Sequence, residues 1–196
     1  MSIVTGQAEM AWPEQSLLKG GVRMALSVRP LSASDGQDIY QMLQEIPEDE
    51  NGFTNPLHGS AYTLYRAWLI REEESSRSTQ IEDGWRVPQT TYWLYADGVP
   101  VGMARLRHML TDKLLQNGGS IGYCIRPGYR GRGYGKALLE GVLRKAWNMG
   151  LDRVLITVHS GNTPSIRTAL ANGGAVEAIR NGMHYIWISR PAENQG

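Results

Sequence analysis

The stretch RPGYRGRGYGK, residues 126–136, sets Gly131, Gly133 and Gly135 among Arg126, Arg130, Arg132 and Lys136, directly before an apolar run at helical spacing. Glycines in such a turn leave backbone N–H groups uncovered where a helix begins and its first amides lack intrahelical partners, an arrangement that attracts an anion. The helix dipole disfavours cations at that end by about 0.3 to 1 kcal/mol each. A multiply charged anion such as a pyrophosphate suits both the backbone nest and the crowded cations. Two familiar patterns fail here. A dinucleotide fingerprint from Gly131 needs glycine at 136, which is Lys136; a P-loop needs glycine at 130 and Ser or Thr at 137, which are Arg130 and Ala137. The competing reading is a solvated basic turn whose glycines serve only its geometry.

The elements that must position this turn follow from periodicity. VRMALSVRP (22–30) reads as a strand, and SASDGQDIYQMLQEI as a helix capped by Ser32 or Ser34, with Ile39, Leu43 and Ile46 inward and Pro47 closing it. A polar loop, PEDENGFTNPLHGS, precedes the helical AYTLYRAWLIREEESS, with Leu64, Trp68, Tyr65 and Leu69 facing inward. TTYWLYA and VPVGMARLRHM flank Asp97-Gly98, a hairpin signal. SIGYCIR leads as a strand into the glycine-rich turn. The next helix carries the rows Leu138, Val142, Ala146, Met149 and Leu139, Leu143, Trp147, a face broad enough to lie on a sheet. RVLITVHS reads as a buried strand, NTPSIRTALANGG as a helix with Pro164 in its first turn and Gly173 at its end, and HYIWIS as a last strand. The order indicates a mixed α/β sheet with at least one parallel crossover.

With 196 residues, 20% of them charged and a formal net charge of +1, the chain reads as one soluble globular domain whose anion site is local. No nucleic-acid or membrane partner is expected. Residues 1–21 lack a clear period and read as an arm or extension before a single domain, 22–196. Cys124 is the single cysteine, so no intramolecular disulfide can form; with no leader-like start, a cytoplasmic location is expected.

Arg130-Gly131-Arg132-Gly133-Tyr134-Gly135 resembles the R/Q-x-x-G-x-G/A motif of the GNAT superfamily of N-acetyltransferases, and the resemblance extends over about residues 22 to 190. EIPEDENGFTNP, PQTTYWLYADGVPVG, LRHMLTDKL, GGSIGYCIRP and NGGAVE are similar to a bacterial subgroup of predicted acetyltransferases. The resemblance implies a mixed, mostly antiparallel sheet flanked by helices, its fourth and fifth strands splayed around acetyl-CoA. The strand carrying Tyr123, Cys124, Ile125 and Arg126 would pair with the pantetheine arm. The turn Arg130, Gly131, Arg132, Gly133, Tyr134, Gly135, Lys136 would bind the pyrophosphate, and Asn162, with Ser165 nearby, the pantetheine. Acetyl-CoA is then the donor, with no metal.

In that family an amine attacks the thioester directly, which requires a neutral amine and a proton for the departing thiolate. The position where some relatives place a glutamate is Ser120, and the usual acid, a tyrosine seven residues after the asparagine, is Ala169 here. Tyr123, His159 and Tyr185 are the remaining candidates. Cys124 has no partner base for an acyl-enzyme and reads as a packing residue. Glu45, Glu48, Asp49 and Glu50 would favour a cationic amine or form a solvated loop. Tyr92, Trp93 and Tyr95 read as core with one face towards the cleft. The resulting expectation is transfer to a primary amine of a small metabolite; the alternatives are a protein or peptide acceptor, or an acyl-CoA-binding module without turnover. Homodimers are common in the resembling family.

Overall fold

The structure, a computed structural model, describes residues 15–19 and 22–192. In chain order it contains β1 (Gln15–Lys19), β2 (Val22–Pro30), α1 (Gln37–Glu45), β3 (Asp49–Glu50), β4 (Phe53–Thr54), α2 (Tyr62–Ser75), β5 (Gln89–Ala96), β6 (Val99–Arg107), α3 (Asp112–Gln116) and β7 (Ile121–Ile125). There follow α4 (Tyr134–Asn148), β8 (Arg153–His159), α5 (Thr163–Ala171), β9 (Ala175–Arg180) and β10 (Met183–Ser189). Of the expected arm only Gln15–Lys19 is described, and it pairs antiparallel with β2; the rest of residues 1–21 lies outside the described residues.

One sheet has the order β1-β2-β5-β6-β7 and another β8-β10-β9, with β3 and β4 forming a small hairpin. Among the described residues every ladder is antiparallel. The crossover expected to be parallel runs from β7 through α4 to β8, but these strands meet only at their base. There Ser120 N–H donates to the Leu155 carbonyl at 2.6 Å, and Ser120 Oγ accepts from Leu155 N–H at 2.9 Å. Beyond that clasp the two strands part, leaving a cleft between them.

The β5–β6 turn is as expected. Asp97 and Gly98 have φ of 47° and 78°, and Asp97 Oδ1 accepts from Ala25 N–H at 2.8 Å, tying the hairpin to β2. Apolar residues fill both faces of the larger sheet. Leu138, Leu139, Val142 and Ala146 of α4 pack with Leu94, Ala104 and Leu106 on one face. On the other, Ile39, Met42, Leu43, Tyr65, Trp68 and Leu69 pack around Trp93 and Met103. Each such aliphatic side chain contributes about 1.5 to 3 kcal/mol.

Several expectations change. Leu64 is exposed, because the inward stripe of α2 is Tyr65, Trp68 and Leu69; Met149 is exposed because α4 ends one residue before it. Neither Ser32 nor Ser34 caps α1, whose N-cap is Gly36; Asp35 instead accepts from Ser32 N–H and from Trp93 Nε1 at 2.6 Å. Tyr92 and Trp93 are core residues and Tyr95 is a partly buried residue packed against the core; none of the three lines the cleft.

Candidate active site

The gap between β7 and β8 is a cleft of about 570 Å³. Its anion end is the glycine-rich turn. Gly131 and Gly133 have φ of 70° and 84°, a backbone that side-chain-bearing residues adopt poorly, and Gly133 is the N-cap of α4. The amides of residues 131–136 donate to no carbonyl or side chain among the described residues. Gly135 has no such backbone constraint, and a Cβ there would stand in ordinary contact, 3.6 Å from Thr168 Oγ1 of α5.

The cations of the turn divide. Arg126 pairs with Glu45, its Nε donating at 2.6 Å, and this partner holds the Glu45 carboxyl below its ordinary value. Arg130 forms a two-pronged pair with Glu50 at 2.8 and 2.5 Å, and its Nε donates to the Ile125 carbonyl. Arg132 donates to the Gly128 carbonyl, and Lys136 lines the cleft; neither has an ion-pair partner among the described residues. The charge conflict seen in the sequence is thus half resolved within the chain. Equally, Glu45 and Glu50 are committed to arginines, which removes two of the four acids expected to attract a cationic amine; Glu48 and Asp49 are exposed.

The middle of the cleft lies between Gly122–Ile125 and Ile156–His159. The Tyr123 hydroxyl donates to the Ser165 carbonyl at 3.2 Å, and burial raises its pKa, so it stays protonated. Asn162 is the N-cap of α5, its Oδ1 accepting from Ser165 N–H at 3.3 Å. Of the expected cofactor residues, Cys124, Ile125, Arg130, Gly131, Gly133, Tyr134, Gly135, Lys136, Asn162 and Ser165 line this one cleft, whereas Arg126 and Arg132 do not. Tyr134 is only 2% exposed and points its hydroxyl at Met24 Sδ, so its amide, not its ring, faces the turn.

The catalytic candidates also separate. Tyr123 and His159 line the cleft, while Tyr185 does not: its hydroxyl donates to the Gln116 carbonyl at 2.8 Å. Ser120 is buried, its oxygen spent on Leu155, and Ala169 is fully buried, its carbonyl accepting from Asn172 and Gly174. Among the described residues no group of His, Cys, Asp or Glu is placed to hold a metal, and no helix is long and apolar enough to cross a membrane.

The sequence reading missed the cleft wall formed by Phe53, Thr54, Arg105 and Arg107. A signal was present: VGMARLR is an apolar strand interrupted by two arginines two residues apart, hence on one face.

Among curated proteins none matches this sequence. The fold has close counterparts among solved structures. RimL, the ribosomal L7/L12 alpha-N-protein acetyltransferase, solved with coenzyme A, superposes with a TM-score of 0.61 at 14% identity, covering 84% of this chain and 93% of that one. The aminoglycoside acetyltransferase AAC(6')-Ib, also with coenzyme A, gives 0.59 at 16% identity, covering 85% and 95%. Campylobacter jejuni N-acetyltransferase PseH in complex with acetyl coenzyme A gives 0.56 at 8% identity, covering 85% and 99%. The family model described as Acetyltransferase (GNAT) family matches residues 53–173, a span that holds the glycine-rich turn and both walls of the cleft. The chain therefore belongs to the GNAT family of acetyltransferases, whose reaction is acetyl transfer from acetyl-CoA.

Proposed function

We propose that this protein transfers an acetyl group from acetyl-CoA to a primary amine of a small metabolite by direct attack on the thioester. The observation that carries the donor half is the run of uncommitted amides at 131–136 at one end of the cleft. They would hold the pyrophosphate with Lys136, while the parted edge of β7 offers backbone groups to the pantetheine arm and Asn162 lies opposite.

Tyr123 is the proton donor for the departing thiolate. It is the one tyrosine among the catalytic candidates that lines the cleft, and it is kept protonated by burial. His159, across the cleft near Gly52, takes the proton of the incoming ammonium through water. Tyr185 has no part in this scheme. An acceptor of metabolite size suits the part of the cleft walled by the β3–β4 hairpin, which the Arg130–Glu50 pair and the Arg105 to Thr54 carbonyl bond hold down.

The test combines calorimetric titration of acetyl-CoA with release of CoA thiol across an amine panel. Acetyl-CoA binding with thiol release from some small amine is expected, and Gly133→Asp should weaken binding at least about tenfold, or about 1.4 kcal/mol, with an unchanged circular dichroism spectrum. Binding without thiol release from any amine would make the protein an acyl-CoA-binding module. Unchanged affinity in Gly133→Asp would remove the turn from the site.

A further inference from the structure

Arg105 and Arg107 lie on the face of β6 that carries Met103 and meets α1 and α2, opposite the face on which α4 packs. Both nonetheless line the cleft, because it passes through the gap between β7 and β8. Arg105 is aligned across the ladder with Gly122, and the Arg107 amide donates to the Ser120 carbonyl, so the two sit at the start of β7. The glycine-rich turn follows the other end of that strand, about 10 Å or more away at about 3.3 Å per residue. An anion held by these arginines is therefore not the donor's pyrophosphate.

The two side chains are fixed but not used up. Arg105 Nη1 donates to the Thr54 carbonyl at 3.0 Å, and its guanidinium lies 5.0 Å from the Phe53 ring centre. Arg107 Nη1 donates to the carbonyls of Gly118 and Gly119 at 2.7 and 2.9 Å. The other guanidinium nitrogens of both have no hydrogen-bond partner among the described residues, and neither arginine forms an ion pair there. Glu72, the acid that bears on Arg105, is engaged by Gln89 and Thr91 at 3.1 and 3.2 Å. Burial lowers the pKa of both, and together with the neighbouring Arg105 it brings Arg107 to about 10. Two like charges in a half-buried wall, each with free in-plane donors, match a planar carboxylate, which a guanidinium binds through parallel hydrogen bonds.

We propose that Arg105 and Arg107 form the acceptor's anion site, and that the acceptor is an amine carrying a carboxylate a few bonds from its nitrogen, a free amino acid or a close analogue. This rests on the acetyl-transfer reading above. It also replaces the expectation of an acidic acceptor pocket, since Glu45 and Glu50 are already paired.

The test uses the full-length protein with free amino acids, the corresponding amino-acid amides, the decarboxylated amines and carboxyl-amidated peptides, followed by CoA thiol release. The free acids are expected to show kcat/KM at least about tenfold above their amides, mainly through KM. In Arg105→Met and Arg107→Met that ratio should collapse towards one while acetyl-CoA affinity persists. Arg107 stays charged below about 10, so the anion site itself keeps its charge and the free acids should remain preferred from about pH 6 to about pH 9. Equal use of acids and amides, a preference that survives both substitutions, or better use of amidated peptides overturns the proposal. If no amine releases thiol, calorimetry with N-acetylated amino acids and their amides decides instead. Arginine-dependent binding of the acids keeps the anion site while the transfer reading falls, and equal or absent binding overturns the site. Arg107 also braces Gly118 and Gly119, so a misfolded Arg107→Met leaves the decision to Arg105→Met and to these titrations on the unaltered protein.

Discussion

Cys124 lies inside β7 with its thiol pushed up to about 12 by burial, the nearby arginines lowering it less. An ordinary thiol in the unfolded chain, near 9.0, ionises first, so this residue leaves stability unchanged below that value and costs stability as pH rises above it. The native thiol should therefore react slowly with a disulfide reagent at about pH 8.5 and much faster on unfolding, and Cys124→Ala should keep acetyl transfer within about twofold. Rapid stoichiometric labelling of the native protein would contradict this. Tyr123 carries the opposite burden. Tyr123→Phe should lower kcat about tenfold or more with acetyl-CoA affinity retained, and the alkaline limb of the kcat profile should lie above the usual tyrosine range. A variant with full kcat would pass the proton to water. Neither role can be read from residue type, since both side chains stand in the same five-residue strand, on opposite faces.

The element that joins acceptor loop to donor turn is the segment from Asp49 to Leu57. Buried Asn55 anchors it, donating to the Leu43 and Ile46 carbonyls at 2.7 and 2.8 Å and accepting from Leu57 N–H. This holds Glu50 against Arg130. The carboxylate competes with any phosphate for that guanidinium, so Glu50→Gln should tighten acetyl-CoA binding by about threefold in calorimetry, and Arg130→Ala should cost less than Gly133→Asp. Weaker binding in Glu50→Gln would mean that the pair orders the turn instead of occupying it. At the base of the cleft, Ser120→Ala leaves the Leu155 N–H without its acceptor and should cost about 1 to 3 kcal/mol in urea unfolding. Gly119 is as constrained, with φ of 60° and the Leu155 oxygen 2.5 Å from where a Cβ would stand.

At the scale of the whole molecule, the two sheets share one core on the α4 side but, among the described residues, are hydrogen-bonded to each other only near Ser120. A donor lying between β7 and β8 would add contacts to both. Acetyl-CoA at about a hundredfold over its Kd should stabilise the fold by about 2.7 kcal/mol, and an upward shift in Tm of several degrees should follow; no shift at that excess would place the donor elsewhere. Most of the strands, four of the five helices and the anion turn were legible in the sequence, because periodicity, glycine at positive φ and uncovered amides are local consequences of residue order. The short α3, and β9 with its outward-facing residues, have no such period. Pairing across long separations is not local. That Glu45 and Glu50 meet Arg126 and Arg130, that Ser120 is a clasp and that Ala169 is buried depend on where α1, α5 and the second sheet come to rest. By itself the sequence determined an anion-attracting turn and the likeness to a family, since six residues in a row carry both. Only the tertiary structure decided what shares the cleft with that turn, because the opposing wall draws Phe53, Arg105, Arg107 and His159 from segments that packing alone brings together.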